Sequence, residues 1–415
     1  MPPFSSVDAA IIGAGAAGLG AAHALQQSGL SVIVLEARNR VGGRIMTVQP
    51  SAEVTFDAGA GWLHSGPANS FVAIAQELGF DVNRDPPPWQ RPAFPEPQPQ
   101  SEQDAFFTAM ESFFARAEAA VAAGEEGPAS RWLDPDCRFN PVIDAISTFM
   151  NGCELDRLSL ADMIAYEDSR NDWRVRRGFG ALLDAYAATC PVALNCEVTR
   201  IDHSARDIVI TTSRGEVHAG KVIITVPTTI LATESIRFFP ALPDKVEAAR
   251  GLPLGANEKV TLALDDPETL PIEANLRGNG STTVKGSYQI RPFGQPCIEG
   301  FFGGSTAREL GLSGDGALGA HAIDEITALL GSDMRRRLKS LHESQWTRDP
   351  FARGGYSHAL PGRAGCRARL AEAVDGRLFF AGEATSPDYF TTAHGARDSG
   401  VRAAGEVLAS LVRNR

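Results

Sequence analysis

The chain has too little of what a disulfide scaffold, a zinc protein, a membrane span or a nucleic-acid binder requires. Six cysteines are scattered through 415 residues, none in a CxxC pair, and no Cys/His cluster has metal-ligand spacing. They read as free thiols, which places the protein in a reducing compartment, the cytoplasm. No apolar run approaches the ~20 residues needed to cross a bilayer. The opening "MPPFSSVDAAIIG" lacks a basic n-region, so no signal peptide is expected. The closing "LASLVRNR" is neither a membrane tail nor a prenylation or peroxisomal signal. Basic residues are the minority: 39 Lys and Arg stand against 50 Asp and Glu, a formal net charge of -11. That balance excludes a non-specific grip on nucleic acid or on an anionic membrane and tolerates a cationic small molecule.

What remains is ordinary globular composition, 43% hydrophobic and 21% charged, in a chain long enough for two domains. Its most informative stretch is residues 11–44, "IIGAGAAGLGAAHALQQSGLSVIVLEARNRVGGR". Residues 7–12 predict a buried strand, 16–28 an alanine-rich helix and 30–36 a second strand, the β-α-β unit of a parallel sheet. Gly13, Gly15 and Gly18 hold the GxGxxG spacing. The first permits the tight turn, the second close approach of backbone to a pyrophosphate, and the third packing of helix on strand. Ala16 opens the helix, whose N-terminal N–H groups and dipole favour an anion. Glu36 lies 18 residues beyond Gly18, the place of an acid that accepts from ribose hydroxyls and disfavours a 2′-phosphate.

Two further features favour FAD over NAD. Ala37, Arg38, Gly42, Gly43 and Arg44 follow the acid on one loop, where arginines can reach adenosine or pyrophosphate. Far downstream, "RLFFAGEATSPDYFTTAHGARDSG" runs strand, loop, helix. There Gly382 allows backbone contact, and Glu383 can accept from a ribityl hydroxyl. Thr391 or Thr392 can cap a last helix whose positive end, at Thr392 and Ala393, points at a ligand. A long dinucleotide needs this second holding point.

Between these ends the pattern predicts helices near 102–123, 141–150, 159–167 and 316–332. It also predicts a hairpin at 207–227 turning at Arg214-Gly215, and strands at 257–266 and after 338. The proline-dense stretch 85–100 reads as irregular, a surface loop or a lid over an entrance. On the strand 257–266, Lys259, Thr261 and Ala263 share the face opposite Val260, Leu262 and Leu264. Pattern alone turns that lysine to solvent.

Six blocks in order resemble the flavin-containing amine oxidases, which include polyamine oxidases, monoamine oxidases and related histone demethylases. They are the stretch 11–44, "FDAGAGWLHSGPANSF", "KVIITVPTTIL", "IRFFPALPDKVEAARGLPLGANEKV", "WTRDPFARGGYSHALPG" and "RLFFAGEATSPDYFTTAHGARDSGVRAA". The fold this resemblance implies is α/β. It has a Rossmann-like FAD-binding domain of the glutathione-reductase type, built from residues 1–66, 176–253 and 347–415. An α+β substrate domain with a mixed sheet and helices takes 67–175 and 254–346.

The activity it implies is loss of hydride from the carbon beside an amine nitrogen to flavin N5, giving an imine, with reoxidation by O2 to H2O2 or by a redox-protein acceptor. The substrate is a small primary or secondary amine, possibly a polyamine. A homodimer is possible, and neither nucleic acid, membrane nor metal is involved. By resemblance Lys259 reaches N5 through a water and assists the reaction with oxygen. Tyr356 faces the flavin, while the second ring of an aromatic pair is replaced by Thr392. Gly355 stands where members with a covalent flavin carry cysteine, so the FAD is held non-covalently. Gly61, Trp62 and His64 border the pocket, with His64 placed to hydrogen-bond a substrate nitrogen. Trp346 packs near the flavin and the Val198 backbone holds adenine. The same fold also serves amino-acid oxidases, amine dehydrogenases, desaturases and low-turnover binding flavoproteins. For an amino-acid carboxylate, Arg170, Arg174, Arg176 and Arg291 are the candidate partners.

Overall fold

The computed structural model describes residues 6–95, 99–276 and 286–413. The extreme ends of the chain, and residues 96–98 of the proline-dense stretch, lie outside the described residues. β1 (Val7–Ile12), α1 (Ala16–Gln26) and β2 (Val32–Leu35) form the expected unit, with β1 and β2 parallel. On its other side β1 pairs parallel with Gly215–Ile224, which also pairs parallel with Leu378–Phe380. The strands Ile208–Thr212 and Val198–Asp202 extend the sheet antiparallel, Arg237–Phe239 pairs parallel with Val198–Asp202 at its edge, and Val192–Ala193 adds to β2, so eight strands form one sheet. The strands of its parallel centre are almost wholly apolar because helices cover both faces. One face buries Ile11, Leu19, Val34 and Phe379 with Leu182 and Val407, and the other buries Ile12, Val222 and Phe380 with Ala249 and Leu370. This is the expected Rossmann-like α/β architecture, assembled from separated segments.

A second, six-stranded sheet carries β3 (Asn257–Leu264), β4 (Ala274–Leu276), β5 (Ser287–Ile290) and β6 (Cys297–Gly303). β3 lies between β6 and Leu338–Glu343, antiparallel to both. The helix Ala317–Leu330 packs on the face that Val260, Leu262 and Ile298 present. The helices Gln100–Ala122, Asn140–Asn151 and Leu160–Ala165 form a satellite core around Phe113 and Leu158. The last helix, α2, spans Ala393–Arg413. Among the described residues no helix is long and apolar enough to cross a membrane.

Two local expectations fail. The proline-dense stretch is not wholly irregular: Pro88–Gln90 form a 3-10 turn, and Ala93–Phe94 pair parallel with β4. Proline is compatible with both, since a first helical turn and a sheet edge each leave an N–H without a partner. And the face of β3 that carries Lys259 does not meet bulk solvent, as described next.

Candidate active site

The site begins at the glycine turn. A Cβ on Gly18 would lie 1.9 Å from the Gly13 carbonyl oxygen, so this glycine serves the packing of α1 on the turn. Gly18 is not itself on the cavity wall. At Gly15 the nearest atom to an added Cβ is the Gly42 carbonyl oxygen, 4.0 Å away. That position opens onto free space, a cradle in which backbone can meet a ligand. The Glu36 carboxylate accepts from the Ala14 amide and from the Arg38 amide, each at 2.8 Å, and so fixes the turn against the loop that follows β2.

That loop is tied to the distant C-terminal part of the chain. Arg38 donates to Asp349 at 2.5 Å. Arg44 donates to the Gly355 carbonyl at 2.6 Å and to Glu383 at 2.9 Å. The Glu383 carboxylate also accepts from the Ser357 amide and hydroxyl and from the Thr391 amide. It lies on the cavity wall, but its charge is committed to holding Arg44 and the loop before α2; the arginines keep it ionised, below the ordinary carboxylate range, against the cost of burial. Thr392 caps α2: its Oγ accepts from the Gly395 amide at 3.0 Å and donates to the Tyr389 carbonyl at 2.6 Å. The hydroxyl is therefore spent on the cap, and Ala393 presents the first turn of α2 to the cavity.

One cavity of ≈ 1820 Å³ runs from this region to the six-stranded sheet. An ordinary small-molecule site occupies ~300–1,000 Å³, so there is room for a dinucleotide and a second molecule. Gly13, Gly15, Ala16, Glu36, Ala37, Arg38, Gly43, Arg44 and Val198 line one end. Gly61, Trp62, His64, Lys259, Trp346, Tyr356, Gly382 and Thr392 line the rest. The open cradle at Gly15, the helix ends at Ala16 and Ala393, and the length of the cavity fit FAD.

At the far end Lys259 is enclosed. Its Nζ donates to the Asp57 carbonyl at 3.0 Å and lies 5.9 Å from the centre of the Phe301 ring. Burial lowers its pKa, with Glu299 and Asp57 opposing. The alternation of β3 identifies the face correctly. It misassigns the environment, because a strand cannot reveal that its second face looks into an interior cavity. Asp57 sits behind the lysine, its carboxylate accepting from Thr47 and from the Phe179 amide; burial raises its pKa.

Aromatic groups surround this end. Tyr356 donates its hydroxyl to the Phe149 carbonyl, and burial pushes its pKa upward. Tyr166 lines the same space, and burial pushes its pKa upward as well. Trp62 packs edge-on to Trp89 at 4.5 Å, which brings the proline-dense stretch into the wall. Trp346 donates to the Ala58 carbonyl at 2.8 Å. A Cβ on Gly355 would fall 2.5 Å from Asn257 Oδ1, so a cysteine thioether has no ready place there.

His64 is joined to Asp172, Nδ1 to Oδ1, at 2.7 Å, and both line the cavity. None of Arg170, Arg174, Arg176 and Arg291 lines it. Arg174 pairs with Glu273 at 2.6 Å, Arg176 with Asp81 at 2.8 Å and Arg291 with Glu268 at 2.8 Å. The carboxylate clamp that an amino-acid substrate needs is therefore not made by these residues.

Sequence reasoning missed Asp57, Tyr166, Asp172 and Glu299. Only Glu299 leaves a local trace: it is a lone acid in the apolar strand "CIEGFF", in phase with Cys297 and Phe301.

A family model described as flavin containing amine oxidoreductase matches residues 16–106 and 138–408. Polyamine oxidase 4 of Oryza sativa subsp. japonica is 28% identical over 439 residues, which cover 95% of this chain and 87% of that protein. Lysine-specific histone demethylase 1 homolog 3 of Oryza sativa subsp. indica is 28% identical over 96% of this chain. The match takes in 53% of the demethylase homologue, so the chain spans about half of its length. Among solved structures, a double mutant of putrescine oxidase made by redesign of cofactor binding superposes with a TM-score of 0.81 at 19% identity, covering 98% of this chain and 100% of that one. Cyclohexylamine oxidase from Brevibacterium oxydans IH-35A gives 0.80 at 21% identity, over 99% and 100%. At such identities the structural matches establish a shared fold.

Proposed function

From the premise that the chain belongs to the flavin-containing amine oxidoreductases, enzymes with FAD as cofactor, we propose that it oxidises a small primary or secondary amine to an imine. The acceptor in this reading is O2, which leaves as H2O2. The observation that carries it is a single cavity holding a dinucleotide cradle at one end and a half-buried lysine among aromatic rings at the other. The FAD-binding part comprises residues 1–66, 176–253 and 347–415, and the substrate part 67–175 and 254–346. Six unpaired cysteines suit a cytoplasmic setting.

Each end has a physical task. Bound FAD supplies the hydride acceptor and the site of reoxidation. An amine with an ordinary pKa near ~10 arrives protonated, and an apolar aromatic wall disfavours that charge. His64, oriented by Asp172, hydrogen-bonds the amine nitrogen. The N-terminal turn of α2 offers oriented N–H groups to negative charge that develops during the reaction. Lys259, with its pKa lowered by burial, holds a water and supplies a proton when oxygen reacts. Thr392 acts through the cap and Glu383 through Arg44, both as positioning residues.

The test is anaerobic mixing of the purified yellow protein with a panel of amines. Bleaching of the flavin by at least one amine, followed by recovery in air with H2O2 release, is expected. Recovery that needs a protein acceptor would reassign the chain as a dehydrogenase, and no bleaching by any amine would reject the reading.

A further inference from the structure

Behind the wall of the cavity lies a buried ion pair that the reaction does not use directly. Arg367, on the helix Cys366–Ala371, meets Asp162, on the helix Leu160–Ala165, as a two-pronged fork. Its Nε donates to Oδ1 at 2.6 Å and its Nη2 to Oδ2 at 2.8 Å. The two side chains are 5% and 1% exposed, and neither lines the cavity. A pair so far from water repays its desolvation only when the remaining donors and acceptors are also used. Here they are: Asp162 Oδ2 accepts from the Ala359 amide, while Arg367 donates to the Ser357 hydroxyl at 2.9 Å and to the Ser357 and Ala384 carbonyls at 3.3 Å.

Two routes lead from the pair to the cavity. The Ser357 hydroxyl, which accepts from Arg367, donates to Glu383 at 2.6 Å, and Glu383 accepts from Arg44. This route ends at the loop of the cofactor cradle. The Arg367 guanidinium also lies 3.7 Å from the centre of the Phe390 ring, which packs edge-on to Tyr166 at 5.4 Å. This route ends at the aromatic wall, since Tyr166 lines the cavity. Asp162 and Tyr166 are four residues apart, so one arginine supports that stretch at both places.

We infer that Arg367 is a positioning residue: held by Asp162, it fixes Glu383 through Ser357 and backs the Tyr166 wall through Phe390, giving the flavin end and the amine end one rigid support. This rests on the reading of the cavity as a site for FAD and an amine. Charge matters here as well as shape. Burial works to raise the Glu383 carboxyl, and Arg44 with Arg367 more than offset it. The other ionisable groups around them are occupied or neutral. Arg402 is bonded to Glu406, the Phe380 carbonyl and Thr385, burial raises Tyr356, and burial holds His358 beside the pair down to about 4. Ionised, Glu383 accepts from Arg44, from the Ser357 amide and hydroxyl, and from the Thr391 amide. A protonated Glu383 has to give up part of that set.

The experiment titrates the apoprotein with FAD from about pH 6 to about pH 9. It compares the wild type with Ser357→Ala, Arg367→Lys and the double variant Asp162→Asn with Arg367→Met, which leaves no lone buried ion. In the double variant the Kd for FAD should rise about tenfold or more near the acid end and only a few-fold near the alkaline end. Without Arg367, Glu383 takes up a proton as pH falls. Ser357→Ala keeps the ion pair and should show the same trend at about threefold or more. Arg367→Lys keeps the charge but loses the fork, so its loss should not vary with pH. A loss independent of pH in the double variant is what a merely structural role gives. That result, an unchanged affinity, or an equally steep trend in Arg367→Lys overturns the inference. If the double variant does not fold, Ser357→Ala decides: a loss confined to low pH supports the inference, and a flat or absent loss overturns it. With an amine that bleaches the flavin, the FAD-saturated double variant should be reduced about tenfold or more slowly, with amine affinity within a few-fold, because the wall is misaligned rather than removed. An unchanged rate overturns the route through Phe390. If no amine bleaches the wild type, the oxidase reading fails, and the FAD titration still judges Arg367.

Discussion

The two ends of the cavity are built in different ways. The cofactor end is dictated locally. A strand, a turn of closely spaced glycines and a helix follow one another within 20 residues, and almost nothing else fits between them. The substrate end is dictated at a distance. There, Thr261, Glu299, Gln289 and Asn275 stand in one row across four strands, and the ring wall adds Trp62, Trp89, Tyr166 and Tyr356 from unrelated segments. The first tolerates no change of shape, whereas the second can change its chemistry on a constant frame.

The largest test of that contrast is Gly18→Ala. Its Cβ would meet the Gly13 carbonyl oxygen at 1.9 Å, and backbone cannot swing aside as a side chain does. Overpacking costs roughly 1–3 kcal/mol or more, and each ~1.4 kcal/mol is tenfold in affinity. The variant should therefore bind FAD at least tenfold more weakly, read by titrating the apoprotein with FAD. An unchanged affinity would break the comparison. Next comes Lys259→Met, a change of chemistry without a change of frame. Reoxidation by oxygen should slow on the order of 10²-fold, with amine binding within a few-fold, both read by stopped-flow absorbance. Unchanged reoxidation would remove Lys259 from that role.

The smallest effects are opposite trends with pH. Burial holds His358 and His394 down to about 4, against an ordinary value of ~6.5. Between those values the unfolded chain takes up protons that the fold refuses, so their contribution is complete above pH ~6.5 and is lost as pH falls toward 4. Glu299 has the reverse sign. Burial raises its carboxyl to about 7, so the fold holds a proton that the unfolded chain has released, and that contribution is lost as pH rises from ~4.5 through 7. Thermal melts should show Glu299→Gln gaining on the order of a few degrees at pH 8 and nothing near pH 4. His394→Gln should show its main effect near pH 5. Parallel shifts of both variants across that range would remove the distinction.

Much of the fold is legible in the sequence because it rests on short-range patterns. The turn at Arg214-Gly215, the alternation of 257–264 and the cap at Thr392 each need only a few neighbouring residues. The hairpin of Thr47–Ser51 and Val54–Asp57 gives less away, although it brings Asp57 behind Lys259. Of the anticipated site residues, Gly13, Gly15, Ala16 and Ala393 lie on the cavity wall, while Gly18 packs α1 on the turn as its spacing predicts. For Lys259, pattern alone gives the wrong surroundings, and only the resemblance directs it inward. For Arg174, charge is visible, but its commitment to Glu273 between Trp62 and Phe293 is not.

By itself, then, the sequence determined the dinucleotide cradle, the Rossmann-like unit around it and the family to which the chain belongs, since these depend on spacing within single stretches. The tertiary structure decided which charges are held together. How readily Glu299 gives up its proton depends on where Lys259, Arg174, Asp57 and Glu273 come to rest around it. Electrostatic balance is a sum over neighbours in space, and no local pattern records that sum.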